Sequence, residues 1–159
     1  ADAGHTYVDN EPLGRVTTLP LYSERYQLIT AFNTMFADRD SVSWAEVATL
    51  PLCLMTPEMQ NRRIINKHLA QAGVEPSATM ESNSTIALLS HVLTGKWASV
   101  MPFDLALLGL SSTLRAVPIT EPDVSHRIGL VVPQREPHTP LVAALLQEAR
   151  LLAAEMPII

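Results

Sequence analysis

Two short polar stretches each stand between an apolar run and a predicted helix. Thr56 and Pro57 follow the apolar residues 50–55, and Ser82 and Asn83 follow a second short extended segment. A helix start presents backbone N–H groups that have no partner inside the helix, and the helix dipole is positive there. Hydroxyl groups beside such N–H groups can hold a carboxylate or a similar anion. The two stretches therefore predict a binding site for a small anionic ligand.

The same residues also have a purely structural interpretation. The Thr56 hydroxyl would cap its own helix, with Pro57 at the first helical position, where the missing N–H is not needed. The two roles are compatible, because one helix start has several unpaired donors. Glu58 places a negative charge beside this turn, so it disfavours a bare anion and selects a ligand that also carries a hydrogen-bond donor.

Sequence motifs for catalysis and for metal binding are absent. No two of the five histidines have the i, i+4 spacing of a helical metal site. The chain has no G-x-S-x-G elbow, no phosphate-binding G-x-x-x-x-G-K-[ST] and no dinucleotide-binding G-x-G-x-x-G. We therefore expect no catalytic residue, no metal site, no cofactor and no enzymatic activity.

The charge balance argues against DNA binding by this chain alone. Its 159 residues carry 11 basic and 16 acidic side chains, for a net charge of −5, whereas a DNA-binding module normally shows a basic patch. Arg62, Arg63 and Lys67 form the densest basic group, and we expect them on the solvent face of a helix.

Hydropathy and cysteine use indicate a globular protein in a reducing compartment. Hydrophobic residues make up 47% of the chain, and no apolar run approaches the roughly 18 residues that a membrane span needs. Cys53 is the single cysteine and lies in an apolar run, which is typical of a buried, reduced thiol. We expect a cytoplasmic protein.

Strands and helices alternate along the chain. Strands are predicted at residues 2–8, 18–30, 50–55, 78–81, 97–101, 114–119 and 127–133. Helices are predicted at residues 43–49, 56–73, 84–94, 103–110 and 140–155. The short helix begins with a capping box, Ser43 and Glu46, and Thr139 before Pro140 starts the last helix. The alternation predicts a mostly parallel sheet with helices on both faces.

Four segments, in this order, resemble the effector-binding domain of LysR-type transcriptional regulators. They are residues 2–7 (DAGHTY), 19–26 (LPLYSERY), 42–52 (VSWAEVATLPL) and 80–102, where Glu81, Asn83, Gly95 and Pro102 stand at the expected places. The resemblance covers almost the whole chain. It implies an α/β, two-lobe, periplasmic-binding-protein-like fold of type 2 with mostly parallel sheets. Lobe one would comprise residues 1–30 and 101–159, and lobe two residues 31–100.

The chain departs from the family pattern in two respects. The first strand–helix–strand–helix portion of lobe one is missing, so lobe one is expected to be incomplete. The family also commonly has a second glycine two residues after the position of Gly95, and this chain has Trp97 there. We expect the indole to be buried near the crossing between the lobes and to narrow the cleft.

The resemblance implies a sensor of small molecules. The effector would bind in a cleft between the lobes, lined by Tyr7, Thr56, Pro57, Glu58, Gln60, Ser82, Asn83 and Phe103. The chain would also form a homo-oligomer, and DNA would be contacted only by a module absent from it. A stand-alone solute-binding protein of the periplasmic type shares the two-lobe design and is the alternative.

Overall fold

The computed structural model describes residues 3–9, 11–75, 77–102, 105–121, 125–134 and 138–155. Its strands are β1 (Gly4–Tyr7), β2 (Val16–Arg25), β3 (Gln27–Ala31), β4 (Val42–Ser43), β5 (Cys53–Met55), β6 (Met80–Ser82), β7 (Ser99–Met101), β8 (Leu114–Thr120) and β9 (Ser125–Pro133). Its helices are α1 (Trp44–Val47), α2 (Gln60–Gln71), α3 (Thr85–Val92) and α4 (Pro140–Glu155), with a 3₁₀ turn at Leu105–Leu108.

The chain divides into two compact units. Unit 1 comprises Ala1–Arg25 and Ser125–Ile159, and unit 2 comprises Tyr26–Val124. These limits differ from the predicted lobes, which place residues 26–30 and 101–124 in lobe one. The difference arises because β3 pairs with both β7 and β8, so these three strands belong to one unit. The assignment of residues to lobes stays a prediction.

Unit 1 is an antiparallel sheet with a helix packed on it. The strand order is β1-β9-β2, and α4 covers the sheet with Val142, Leu146 and Ala149 against Leu130 and Val132. Thr139 caps α4, because its Oγ1 accepts a hydrogen bond from the Val142 N–H at 3.3 Å. The predicted Thr-Pro helix start is therefore confirmed.

Unit 2 is built on a mixed sheet. Strands β4-β8-β3-β7 are hydrogen-bonded in that order, and a parallel bridge between Leu52 and Ala98 links β7 to the pair β5-β6. The pairs β5-β6 and β4-β8 are parallel, whereas β3-β7 and β3-β8 are antiparallel. The pair β5-β6 flanks α2 and is parallel, as the strand–helix–strand pattern predicts, whereas β4 and β8 are far apart in sequence. The other described pairs are antiparallel. We expected mostly parallel sheets, and the described sheets are instead mixed or antiparallel.

The helix-start signals in unit 2 are local and mostly hold. The capping box of α1 is present, since Ser43 Oγ accepts from the Glu46 N–H and Glu46 Oε1 accepts from the Ser43 N–H, both at 3.1 Å. The buried face of α3 consists of Leu88, Leu89 and Val92. Ile86, the second residue of α3, lies off that face and is 79% exposed.

Candidate functional site

The two polar turns predicted to bind a ligand leave adjacent strands of unit 2. Strands β5 and β6 run parallel, and Met55 is the register partner of Ser82. Thr56 and Asn83 therefore follow paired residues at the carboxyl ends of neighbouring strands. Ligands of α/β proteins bind at this edge of a sheet, because the loops and helix starts converge there. The structure thus brings Thr56, Ser82 and Asn83 to one sheet edge.

The helix after Thr56 begins later than predicted. A turn forms first, in which the Met59 N–H donates to the Thr56 carbonyl at 3.0 Å, and α2 starts at Gln60 with Met59 as its N-cap. The prediction that Thr56 caps α2, with Pro57 as the first helical residue, is wrong. The local pattern fitted a Thr-Pro helix start, but this extra turn separates the strand from the helix. Gln60 itself is the first residue of α2.

Because Thr56 does not cap α2, its hydroxyl remains at the carboxyl end of β5. Its Oγ1 atom is buried. The hydroxyl lies close enough to the exposed carboxylate of Glu58 to lower the pKa of that carboxyl, with a second contribution from the Glu58 backbone N–H. Arg63 spans the same turn from outside, and its Nη1 donates to the Glu58 carbonyl at 2.7 Å. Glu58 is therefore ionised at neutral pH, and the turn offers one buried hydroxyl next to one negative charge.

The second turn is held by its own serines. Ser84 caps α3 by accepting from the Ala87 N–H at 3.3 Å, and Ser82 Oγ accepts from the Ser84 N–H at 3.1 Å. Asn83 is exposed between them. Because both accepted bonds leave the hydroxyl protons uncommitted, Ser82 and Ser84 can still donate to a ligand.

A buried arginine, Arg62, bonds to residues of β5 and β6, the strands that lead into the two turns. Arg62 is 4% exposed. Its Nη1 donates to the Met55 carbonyl at 2.8 Å and to the Glu81 carboxylate, and its Nε donates to Asn66 at 2.8 Å. The last residue of β5 and the central residue of β6 are thus tied to one guanidinium. We expected Arg62 on the solvent face of α2, and this expectation is wrong.

The position of Arg62 could have been found from helical spacing. It lies three residues before Ile65 and seven before Leu69, which are both buried on α2. Residues at these spacings share one helix face. A charged residue at such a position needs buried partners, and Glu81 and the Met55 carbonyl supply them.

Of the two aromatic residues predicted to line the cleft, the structure describes Tyr7 but not Phe103. Tyr7 is a buried residue of unit 1, and its hydroxyl donates to Glu24 Oε2 at 3.0 Å. Its ring also meets His126 edge-on, with 6.2 Å between the ring centroids. Burial raises the pKa of the Glu24 carboxyl, and the bond from Tyr7 partly offsets that rise. Phe103 lies outside the described residues. A role for either residue in effector binding stays a prediction.

Cys53 belongs to the hydrophobic core of unit 2. Cys53 is fully buried, its Sγ lies 3.7 Å from the Leu88 carbonyl oxygen, and burial raises its pKa to about 11. Within the described part of the chain, no three His, Cys, Asp or Glu side chains cluster as metal ligands. The helices described here also include none with the length and apolarity to cross a membrane.

The match to a known family decides what kind of domain carries this site. Residues 1–153 match the family model of the LysR substrate binding domain. The chain belongs to this family. The resemblance read from the sequence is thereby confirmed.

Relatives with solved structures share the fold of this LysR substrate-binding domain. The effector binding domain of QuiR in complex with shikimate has a TM-score of 0.81 at 21% identity, covering 98% of this chain and 74% of that one. The C-terminal domain of a probable LysR family regulator from Rhodococcus sp. RHA1 has a TM-score of 0.79 at 18% identity, covering 94% and 74%. The domain therefore has the two-lobe periplasmic-binding-protein-like α/β fold of type 2, which confirms the predicted fold class.

A curated relative is a probable nitrogen assimilation transcriptional activator from Synechococcus elongatus. It is 25% identical to the LysR substrate-binding domain over 132 residues, which cover 82% of this chain and 42% of that protein. The domain thus spans less than half the length of this curated relative.

Proposed function

We propose that this chain is the effector-sensing and oligomerisation domain of a LysR-type transcriptional regulator, and that its effector is a small anionic organic molecule. The observation that carries the proposal is the pairing of Met55 with Ser82 in parallel strands. This pairing puts two turns with hydroxyl groups at one sheet edge. Membership of the LysR substrate-binding domain family supports the same role.

The two turns favour a ligand with both an anion and a hydrogen-bond donor. The hydroxyls of Ser82 and Ser84 can donate to a carboxylate, since each already accepts a backbone N–H. The Glu58 carboxylate, held in its ionised form, would accept from a ligand hydroxyl or ammonium group. A hydroxy acid or an amino acid meets both requirements. Pro57 and Gln60, which follow Thr56 in unit 2, complete this part of the proposed binding set.

Effector binding would act by shifting the population of conformations toward the one that binds it better. A DNA-binding module elsewhere in a longer protein would then read that shift. The chain itself, with a net charge of −5, would contribute sensing and homo-oligomer contacts rather than DNA contacts. We place the protein in the cytoplasm, where such a regulator meets DNA.

The alternative, a stand-alone periplasmic-type solute-binding protein, has less support. The curated relative is a transcriptional activator, and the similar structures include a LysR regulator bound to its target DNA. We also infer that the domain is not an enzyme, since membership of the family points to a regulator.

A ligand screen by thermal shift and calorimetry tests the proposal. Shikimate is the first probe, because it carries a carboxylate and hydroxyl groups and is the ligand in one similar structure. Other small hydroxy acids and amino acids complete the panel. We expect at least one of them to raise the melting temperature of the wild-type chain.

Variants then locate the binding site. For any compound that binds, Thr56→Val should weaken binding about tenfold or more, because a buried hydroxyl partner is lost. Thr56→Ser should largely retain binding, and Thr113→Val, at an exposed threonine outside the turns, is the matched control. Equal affinity in the wild type and Thr56→Val would show that the turn does not bind the effector.

A further inference from the structure

A cavity lies in unit 2 at the end of the strands opposite the two turns. It encloses about 300 Å³ and is bordered by the residues that precede β5 and β7 and by those that follow β3. The proposed effector turns leave the carboxyl ends of β5 and β6, so the length of the sheet separates the two places. The cavity volume is at the lower end of the range for small-molecule sites.

Trp97 forms a fixed wall of this cavity. Its Nε1–H donates to Thr79 Oγ1 at 3.0 Å, and its ring meets His91 edge-on with 5.5 Å between the centroids. The ring is therefore held from two sides while it lines the cavity. Trp97 is partly buried and precedes β7, at the opposite end of that strand from Met101. Its expected effect on the cleft stays a prediction.

The rest of the lining includes both apolar and polar residues. Besides Trp97, the larger apolar contributions come from Met35, Leu50 and Pro51, with Ala98 beside them in the lining. Met35 is 64% exposed, so its side chain is accessible to a ligand from solvent. An aromatic ring or a short hydrocarbon chain would cover such apolar surface.

Thr30 and Thr34 also line the cavity, here called its floor, and their hydrogen bonds limit where a charged ligand group can bind. Thr34 Oγ1 donates to the Ala31 carbonyl at 2.7 Å, so Thr30 must be the donor in the 2.6 Å contact between the two threonine hydroxyls. Both hydroxyl protons are therefore committed, and this floor cannot donate to an anion. Among the described lining residues the charged one is Lys96, which is exposed at the rim.

We propose that this cavity binds a small carboxylate that carries an aromatic ring, with the ring against Trp97 and the carboxylate at Lys96. Asn33, also in the lining, has an amide that can donate to the same carboxylate. Its backbone has a φ of 62°, a conformation that asparagine tolerates better than most residues. The site is independent of the proposed effector site, since it uses none of its residues.

The test is an NMR titration of the ¹⁵N-labelled chain with 3-phenylpropionate and, as the uncharged match, 3-phenyl-1-propanol. We expect the acid to shift the indole N–H resonance of Trp97, identified by its loss in Trp97→Phe, together with the backbone amides of residues 95–98. Lys96→Gln should weaken binding of the acid about threefold to fivefold, because one exposed charge contact is removed, and it should leave binding of the alcohol unchanged. Lys67→Gln, at an exposed lysine of α2, is the control and should change neither.

Three results would overturn the proposal. They are no shift at residues 95–98 with 10 mM acid (a concentration about tenfold above a millimolar Kd), shifts confined to the Thr56 and Ser82 turns, or equal weakening by both lysine variants. Thr56→Val should leave this binding intact, so failure of the effector proposal and failure of this one are distinguishable.

Discussion

The guanidinium of Arg62 donates to the carboxylate of Glu81, and the two residues differ greatly in exposure. The Arg62 side chain is 5% exposed, and the Glu81 side chain is 41% exposed. The buried charge is therefore paired with a partner that remains in contact with solvent. This arrangement lowers the cost of burying the guanidinium, because the carboxylate keeps part of its hydration. Arg62 in turn holds the last residue of β5, one position before Thr56.

Replacing Glu81 by Gln should destabilise the chain by about 1–3 kcal/mol, since it leaves a buried guanidinium without its counter-charge. Urea unfolding followed by circular dichroism measures the change. Arg39→Gln is the matched control, because it breaks an exposed ion pair with Glu46 and should cost less than about 1 kcal/mol. Equal losses in both variants would mean that Arg62 needs no ionic partner.

Glu24 should make unit 1 less stable as the pH rises above the ordinary pKa of a carboxyl group. Burial raises the pKa of Glu24, so the folded state binds its proton more tightly than the unfolded state does. Stability from this group is complete below the unfolded pKa and is lost as the pH rises through the folded pKa. Glu24→Gln should remove that loss, as seen in urea unfolding from about pH 4 to pH 7.

Glu46 provides a control of opposite sign for that pH series. Its pKa is lowered, first by the hydrogen bond from Arg39 and then by the Ser43 N–H. Its contribution is present above the unfolded pKa and is lost as the pH falls through the folded one. If Glu24→Gln and Glu46→Gln change the pH profile in the same direction, the assignment for Glu24 is wrong.

Cys53 should not react with a thiol reagent in the folded chain. It is fully buried with a pKa of about 11, so both access and thiolate formation are suppressed at pH 8. Reaction with Ellman's reagent should be slow in buffer and rapid in urea. Fast labelling of the native chain would place the thiol near solvent.

Gly129 should not tolerate a side chain. A Cβ there would lie 2.6 Å from the Leu19 carbonyl oxygen and 2.8 Å from Val8 Cγ1. Gly129→Ala should cost about 1–3 kcal/mol by urea unfolding, because neighbouring backbone must move. Gly4→Ala, on the paired strand β1, is the comparison, since its Cβ would meet a side-chain atom of Val131 at 3.2 Å. A larger loss for Gly4→Ala would contradict this account.

The local sequence determined those features whose energies depend on a few neighbouring residues. The capping box of Ser43 and Glu46, the cap of α4 by Thr139 and the turn at Gly95, where φ is 77°, were all predictable because each partner lies within four residues. The strand–helix–strand order of residues 50–101 was predictable for the same reason. Together with the order of four motifs, it was enough to identify the family.

Tertiary structure decided which side chains meet across the fold. Thr56 does not cap α2, because an additional turn separates β5 from the helix. Arg62 points inward because the Glu81 carboxylate neutralises its charge and the Met55 carbonyl accepts one of its hydrogen bonds. Neither partner is visible from the α2 sequence. The antiparallel pairing of β3 with β7 and β8 likewise depends on contacts between residues seventy or more positions apart, such as Ile29 with Ser99 and Ala116. Local propensity cannot specify such pairs, since their energy exists only once the chain has folded.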